Sequence, residues 1–422
     1  MPQAPLVEVI PRKAAVCRDE PVVLDVLVRI TPPQPEVHFL RPPINLALVL
    51  DRSGSMAEGQ KMSHARQAAV FAVEQLLPTD QVSVTTFDHV VETLIPAGPV
   101  VDKPGVVRKI QGIHPRGQTD LHAGWAEGAR QAESGRADTG TNRVILLSDG
   151  QANAGVTDPN RIAADVRGAG ARGITTTTMG VGASYNEDLL EAMARAGDGR
   201  YYYVETPVQL ADIFQTELHG LMATTGQKVS LGIVPAAGVT INDLPNDFQR
   251  LPTGRLMLPS LTVGMPVPML VRLNVPARPA AGDVPLCTFR LAWDEPSGGP
   301  RCVIAFELRP LPAVARDEWN GLPEHPDVCE QEAVLMAARA QIEASRALEQ
   351  GDVAGTRVAL ARARSLASSV PGTITTEEIL HTLKEIETHL DEGDLLRSSK
   401  KAKFGSYSWQ HGRSNRPQPP KS

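Results

Sequence analysis

The sequence predicts an α/β fold: a doubly wound, mostly parallel sheet inserted in or next to an antiparallel β-sandwich, followed by a C-terminal helical region. Three observations carry this. Apolar strand segments alternate with helical segments from about residue 44 to 222, the pattern of a parallel sheet with helices on both faces. Two of those strands, INLALVLD at 44–51 and RVILLSD at 143–149, are largely apolar and end in an acid, as expected of a strand buried on both faces. From 227 to 310 the alternation gives way to short strands separated by Pro and Gly, which reads as antiparallel β.

Taken in order, LVEVIP and PVVLDVLVRI within 6–31 alternate apolar and polar residues, the period of half-buried strands. They have no sheet of their own, so the economical solution places residues 1–38 in the sandwich. The α/β domain, 39–225, opens with the strand 44–51 and a helix at 60–77 whose apolar spacing runs through Met62, Ala65, Ala69, Val73 and Leu76. Strands at 81–87 and 90–95 lie a short turn apart and predict a hairpin. Helices at 104–111 and 121–135, the strand 143–149, a helix at 158–170 and a strand at 173–182 follow. A helix at 186–195, the strand 200–204 and a helix at 207–222 complete the domain. The four threonines at 175–178 and Tyr201, Tyr202 and Tyr203 fit strands on propensity alone. The sandwich spans 226–315. Residues 320–395 are Ala- and Leu-rich and predict a helical hairpin turning at Gly351, similar in its small-residue spacing to one tetratricopeptide-like unit. Residues 396–422 are basic, polar and Pro-rich, with no Asp or Glu after Arg397, and read as a disordered tail.

Composition narrows the function. The chain has 422 residues, 42% hydrophobic and 21% charged, which permits several packed domains and excludes collagen-like and wholly disordered classes. A net charge of −6 argues against a nucleic-acid binder for the core. No apolar run approaches the ~20 residues of a membrane helix, and the N-terminus lacks the pattern of a signal peptide. Cys17, Cys287, Cys302 and Cys329 form no CxxC pair, so reduced thiols and a cytoplasmic location are expected.

The strongest chemical signal is Asp51-Arg52-Ser53-Gly54-Ser55, directly after the strand INLALVL. One carboxylate and two hydroxyls at alternate positions can point into one crevice. Such hard oxygen donors suit Mg²⁺, Mn²⁺ or Ca²⁺. On its own the motif equally reads as a strand-to-helix turn with Asp51 as a cap. Two further segments fall at the same predicted sheet edge: the loop Gly117-Gln-Thr119-Asp120-Leu121 and the strand end Leu147-Ser-Asp149-Gly150.

With DRSGS, GQTDL and LSDG in that order, the stretch 44–222 resembles the von Willebrand factor type A family. The resemblance implies a metal-ion-dependent adhesion site formed by Asp51, Ser53, Ser55, Thr119 and Asp149. It implies that the hydroxyls coordinate the ion directly and that the aspartates often act through water. One coordination position is left for an Asp or Glu of a partner protein. Arg52 and Met56, beside the motif, and Asp120, in the second loop, are candidate partner contacts by position; Asp120 also reads as a helix N-terminal acid. The architecture is similar to that of inter-alpha-trypsin inhibitor heavy chains and their bacterial relatives. The expected function is a non-enzymatic adaptor whose divalent cation captures an acidic residue of a partner. The alternative is a client-recruiting subunit of a machine driven by a separate AAA+ ATPase. A metal-dependent hydrolase is disfavoured. Haloacid dehalogenase-like enzymes need a second Asp where Ser53 stands, and no Walker A or GxSxG motif is present. In the tail, Lys400, Lys401, Lys403, Arg413, Arg416 and Lys421 are interleaved with Phe404, Tyr407 and Trp409. This segment reads as a nucleic-acid or membrane contact, a linear motif, or a solvated end.

Overall fold

The computed structural model describes residues 4–34, 41–136, 139–278 and 282–412. The chain forms two compact units.

The first unit holds the described residues 41–136 and 139–224 with 295–299. Its six-stranded sheet runs, in spatial order, Val91–Pro99, Gln81–Phe87, Ile44–Asp51, Thr141–Ser148, Ile174–Val181 and Tyr201–Val204. The last five are parallel, and Val91–Pro99 is antiparallel to Gln81–Phe87 across the expected hairpin. Every residue of Ile44–Asp51 and Thr141–Ser148 is buried, because helices cover both faces of these central strands. Leu46, Leu48 and Leu50 pack with Ala65, Ala69 and Val73 of the helix Lys61–Gln75 and with Phe214 and Leu218 of the helix Leu210–Met222. Chain order along the sheet reverses at Ile44–Asp51. The crevice beyond the carboxyl ends of Ile44–Asp51 and Thr141–Ser148 is therefore the place where a doubly wound sheet binds its ligand.

The second unit holds the described residues 4–34, 225–278, 282–294 and 300–412. Leu6–Pro11 pairs antiparallel with Val22–Thr31, which pairs in turn with Val267–Val275, and Thr240–Asp243 completes that sheet. The N-terminal strands thus share a sheet with strands that follow the α/β unit in the chain. A second sheet contains Thr224–Pro235, Cys287–Asp294 and Cys302–Glu307. Val26, Val28, Ile30 and Val271 from one sheet and Leu231, Phe289, Leu291 and Trp293 from the other share one core. The helices Pro326–Glu349 and Val353–Ala367 turn at Gly351, whose φ of +74° suits glycine, and Ile374–Asp391 packs beside them.

The expectation of disorder is corrected over residues 396–410. Leu395–Gln410 is a helix capped by Asp394, with Tyr407 and Trp409 buried. Ala402 and Trp409 belong to the helical core. Lys401 and Lys403 lie 3.1 and 2.6 Å from Glu385 and Glu349. The acids missing from this segment are supplied by other helices, so a basic and weakly apolar sequence still packs. Arg413, Arg416 and Lys421 lie outside the described residues. Among the described residues no helix is long and apolar enough to cross a membrane.

Candidate metal centre

Asp51 is the last residue of the central strand and is wholly buried. Its Oδ1 accepts the Ser53 backbone N–H at 2.7 Å, and its Oδ2 accepts the Ser148 hydroxyl at 2.5 Å. The first bond folds the backbone back so that Ser53 follows Asp51 into the crevice. Ser53 Oγ lies 3.1 Å from Ser55 Oγ, and Ser55 Oγ donates to Asp149 Oδ1 at 2.7 Å. Asp149 stands just past the neighbouring strand and is fully buried, while Ser55 is partly exposed at the rim.

The Thr119 loop is tied to this turn. Gly54 N donates to the Gly117 carbonyl at 3.0 Å and Arg116 N to the Arg52 carbonyl at 2.6 Å. Thr119 is buried, and its N–H donates to Asn153 Oδ1 at 3.1 Å. A Cβ placed on Gly150 would stand 3.0 Å from Thr119 Oγ1 and 3.7 Å from Asp51 Oδ2, so the hydroxyl and the carboxylate converge on the same point. Gly117 has φ +72°, and a Cβ there would lie 2.3 Å from His89 Nδ1. Gly117→Ala is expected to cost about 1–3 kcal/mol and to loosen the Thr119 loop. An unchanged urea midpoint would contradict this.

The three segments thus bring together the side-chain oxygens of Asp51, Ser53, Ser55, Thr119 and Asp149. A family model for the von Willebrand factor type A domain matches residues 45–216. Residues 45–216 form a von Willebrand factor type A domain. An uncharacterized protein of Synechocystis sp. is 27% identical over 353 residues, 78% of this chain and 80% of that protein. Inter-alpha-trypsin inhibitor heavy chain H3 of Mus musculus is 29% identical over 178 residues, 39% of this chain, and the match spans 20% of that protein. A solved von Willebrand factor type A protein from Catenulispora acidiphila superposes with a TM-score of 0.71, covering 91% of this chain and 90% of its own at 17% identity. That likeness speaks to the fold.

Three residues of the type A domain expected at a partner surface have other duties. Arg52 is only 7% exposed; its Nε donates to Asp88 at 2.9 Å and its Nη1 to Glu92 at 2.7 Å. Met56 is wholly buried among the apolar side chains between helix and sheet. The Asp120 carboxylate accepts from Ala123 N at 3.0 Å and caps the helix Leu121–Ser134. Ser53 and Ser55 face the crevice, whereas Arg52 is held by Asp88 and Glu92, and Met56, inside the 3-10 turn Gly54–Gln60, packs into the core.

The donor set suits a hard cation. It consists of three hydroxyls and two carboxylates with no thiol. Among the described residues no three His, Cys, Asp or Glu side chains gather as a metal cage, so an ion held here depends on hydroxyls. Burial pushes the Asp51 carboxyl up to about 6. The hydrogen bonds from Ser148 and Ser53 oppose that rise, and the negative charge of Asp149 adds to it. The crevice therefore holds a carboxylate short of compensating charge, the condition in which a cation is welcome.

Motif reading alone omits three residues of this centre. Ser148 donates to Asp51, Asn153 holds the Thr119 loop, and Lys61 Nζ lies 2.6 Å from Asp149 Oδ2. Ser148 was visible as the residue before Asp149 in LSDG. Nothing in the spacing of Asn153 or Lys61 marked either one.

Proposed function

We propose that the type A domain is a non-enzymatic interaction module that holds a divalent cation, Mg²⁺ or one of its oxygen-seeking analogues, and uses it to capture a carboxylate of a partner protein. The observation that carries this reading is the convergence of five hard oxygens at the sheet's switch point with Ser55 at an accessible rim. Ser53, Ser55 and Thr119 would hold the cation, with Asp51 and Asp149 balancing its charge from deeper in the crevice. The cation supplies a Lewis-acidic centre for an external oxygen. Three hydroxyls, with the two carboxylates set deeper, would leave the cation a coordination position for a further oxygen ligand. The known role of type A domains in protein interaction supports the same reading.

The experiment is a pair of pull-downs from cell lysate on the full chain, one with Mg²⁺ and one with EDTA. Proteins retained only with Mg²⁺ are expected, and an ATPase among them would favour the machine-subunit alternative. Identical lists in the two arms would refute metal-bridged capture. At the site itself, Ser53→Ala and Thr119→Ala are each expected to weaken Mg²⁺ binding about fivefold, the scale of one lost neutral contact of ~1 kcal/mol. Calorimetric titration checks this, and an unchanged affinity in both variants would remove the hydroxyls from the ligand set.

A further inference from the structure

Lys61 opens the first helix of the α/β unit, and its ammonium reaches into the crevice. Nζ lies 2.6 Å from Asp149 Oδ2, while the other oxygen of that carboxylate accepts from Ser55. The Lys61 side chain is 13% exposed and Asp149 is wholly buried, so this is an enclosed ion pair. The local backbone is shaped to deliver it. Gly59 and Gln60, immediately before Lys61, have φ of +55° and +60°. For Gln60, a non-glycine residue, that conformation carries a cost of about 1 kcal/mol or more. The stem is supported by the loop after Ile174–Val181: a Cβ on Gly182 would stand 3.6 Å from Lys61 Cε. Glu58, the other acid near Nζ, is 4.0 Å away with a side chain 80% exposed, and competes weakly.

We propose that Lys61 is a built-in counter-cation that sets the charge of the loaded site, making it selective for an anionic ligand at the expense of metal affinity. This rests on the metal reading above. The argument is a charge count. Ionised Asp51 and Asp149 bring −2, and a divalent cation brings the sum to zero. The Lys61 ammonium raises it to +1, which one incoming carboxylate neutralises. Without Lys61 the loaded centre is neutral. It then holds its cation more tightly and has less attraction for an anion. Because the pair is withdrawn from water, these charge terms are larger than at an open surface. Lys61 thus distinguishes a carboxylate ligand from a neutral oxygen such as an amide or a hydroxyl.

The test uses the purified full chain and Mn²⁺, followed through the relaxation rate of water protons, with acetate then titrated into the Mn²⁺-loaded protein. Lys61→Gln and Lys61→Met both remove the charge, and the second keeps most of the stem. Each is expected to bind Mn²⁺ about tenfold more tightly and acetate about tenfold more weakly, while Lys61→Arg stays near wild type. Equal or weaker Mn²⁺ binding in both neutral variants overturns the proposal. If wild type binds Mn²⁺ saturably, Asp51→Ala does not, and the Lys61 variants match wild type, then Lys61 alone is misassigned. If wild type binds no Mn²⁺, the metal reading falls and takes this proposal with it.

Discussion

Asp51→Ala is expected to abolish the stabilisation that Mg²⁺ confers on the α/β unit while leaving the unit folded. A ligand present at a hundred times its dissociation constant stabilises the native state by about 2.7 kcal/mol. For a unit of this size that raises the melting midpoint by roughly 5–10 °C. The substitution removes one of the site's two carboxylates and the acceptor that holds the Ser53 N–H at 2.7 Å, so both charge and geometry are lost. The strand itself keeps its apolar contacts through Leu46, Leu48 and Leu50, which is why the fold survives. Melting curves with Mg²⁺ and with EDTA should differ in wild type and coincide in the variant. A variant that keeps the wild-type Mg²⁺ shift would refute the site.

Replacing the charge but not the shape separates binding from stability. Burial raises the Asp51 carboxyl from the ordinary 3.8 to about 6, so the folded metal-free protein binds this proton more tightly than the unfolded chain does. The contribution to stability is therefore fully present below about pH 4 and is lost as pH rises through 6. At 1.4 kcal/mol per pH unit the loss totals roughly 3 kcal/mol. Asp51→Asn lacks this loss. In EDTA at pH 7.5 it should melt several degrees above wild type, and it should gain nothing from Mg²⁺. A lower midpoint for Asp51→Asn in EDTA would mean that the carboxylate stabilises the metal-free fold.

The parallel sheet is legible because INLALVLD and RVILLSD are buried throughout and apolar at their centres, with the polar Asn45, Arg143 and Ser148 confined to the ends of the runs. The five oxygen donors are legible because DRSGS and LSDG end neighbouring parallel strands, and GQTDL is the loop that opens the helix Leu121–Ser134 at the same edge. What the sequence hid is long-range pairing. The basic segment after Arg397 was read as a tail because its polar residues mask a helical stripe; Glu349 and Glu385, far away in the chain, compensate Lys403 and Lys401. Arg52 and Met56 were assigned outward by proximity to the motif. Asp88 and Glu92 hold Arg52, and the core holds Met56; proximity in sequence says nothing about such partners. Lys61 was invisible as a site residue, since a lysine at a helix start is ordinary until its partner is known.

Glu217→Gln is expected to be the most destabilising single substitution considered for the α/β unit, by about 3–5 kcal/mol at neutral pH. Its position in LADIFQTELHGLM carries a signal: it shares the buried face with Leu210, Phe214, Leu218 and Leu221, where an acid has no place unless paired. Glu217 is 2% exposed. Thr177 Oγ1 donates to its Oε1 at 2.6 Å and Tyr202 OH to its Oε2 at 3.0 Å, while Arg143 and Arg200 approach these oxygens to 3.8 Å each. Burial alone would raise its pKa, yet the two guanidinium groups and the hydrogen bonds bring it below the ordinary value. The carboxylate thus fastens the last helix of the unit to three strands, Thr141–Ser148, Ile174–Val181 and Tyr201–Val204. The amide would withdraw the negative charge that Glu217 presents to Arg143 and Arg200, and neutralising one member of a buried ion pair is costly. Because the folded pKa is depressed, the stabilisation is present above the unfolded value near 4.5 and is lost as pH falls through the folded one. The difference between wild type and Glu217→Gln should therefore be largest at pH 7 and shrink in acid. Urea midpoints of the α/β unit at pH 7 and pH 4 check both parts. A variant within 1 kcal/mol of wild type at pH 7 would mean that Arg143 and Arg200 find other compensation, and that the last helix is held by its apolar face alone.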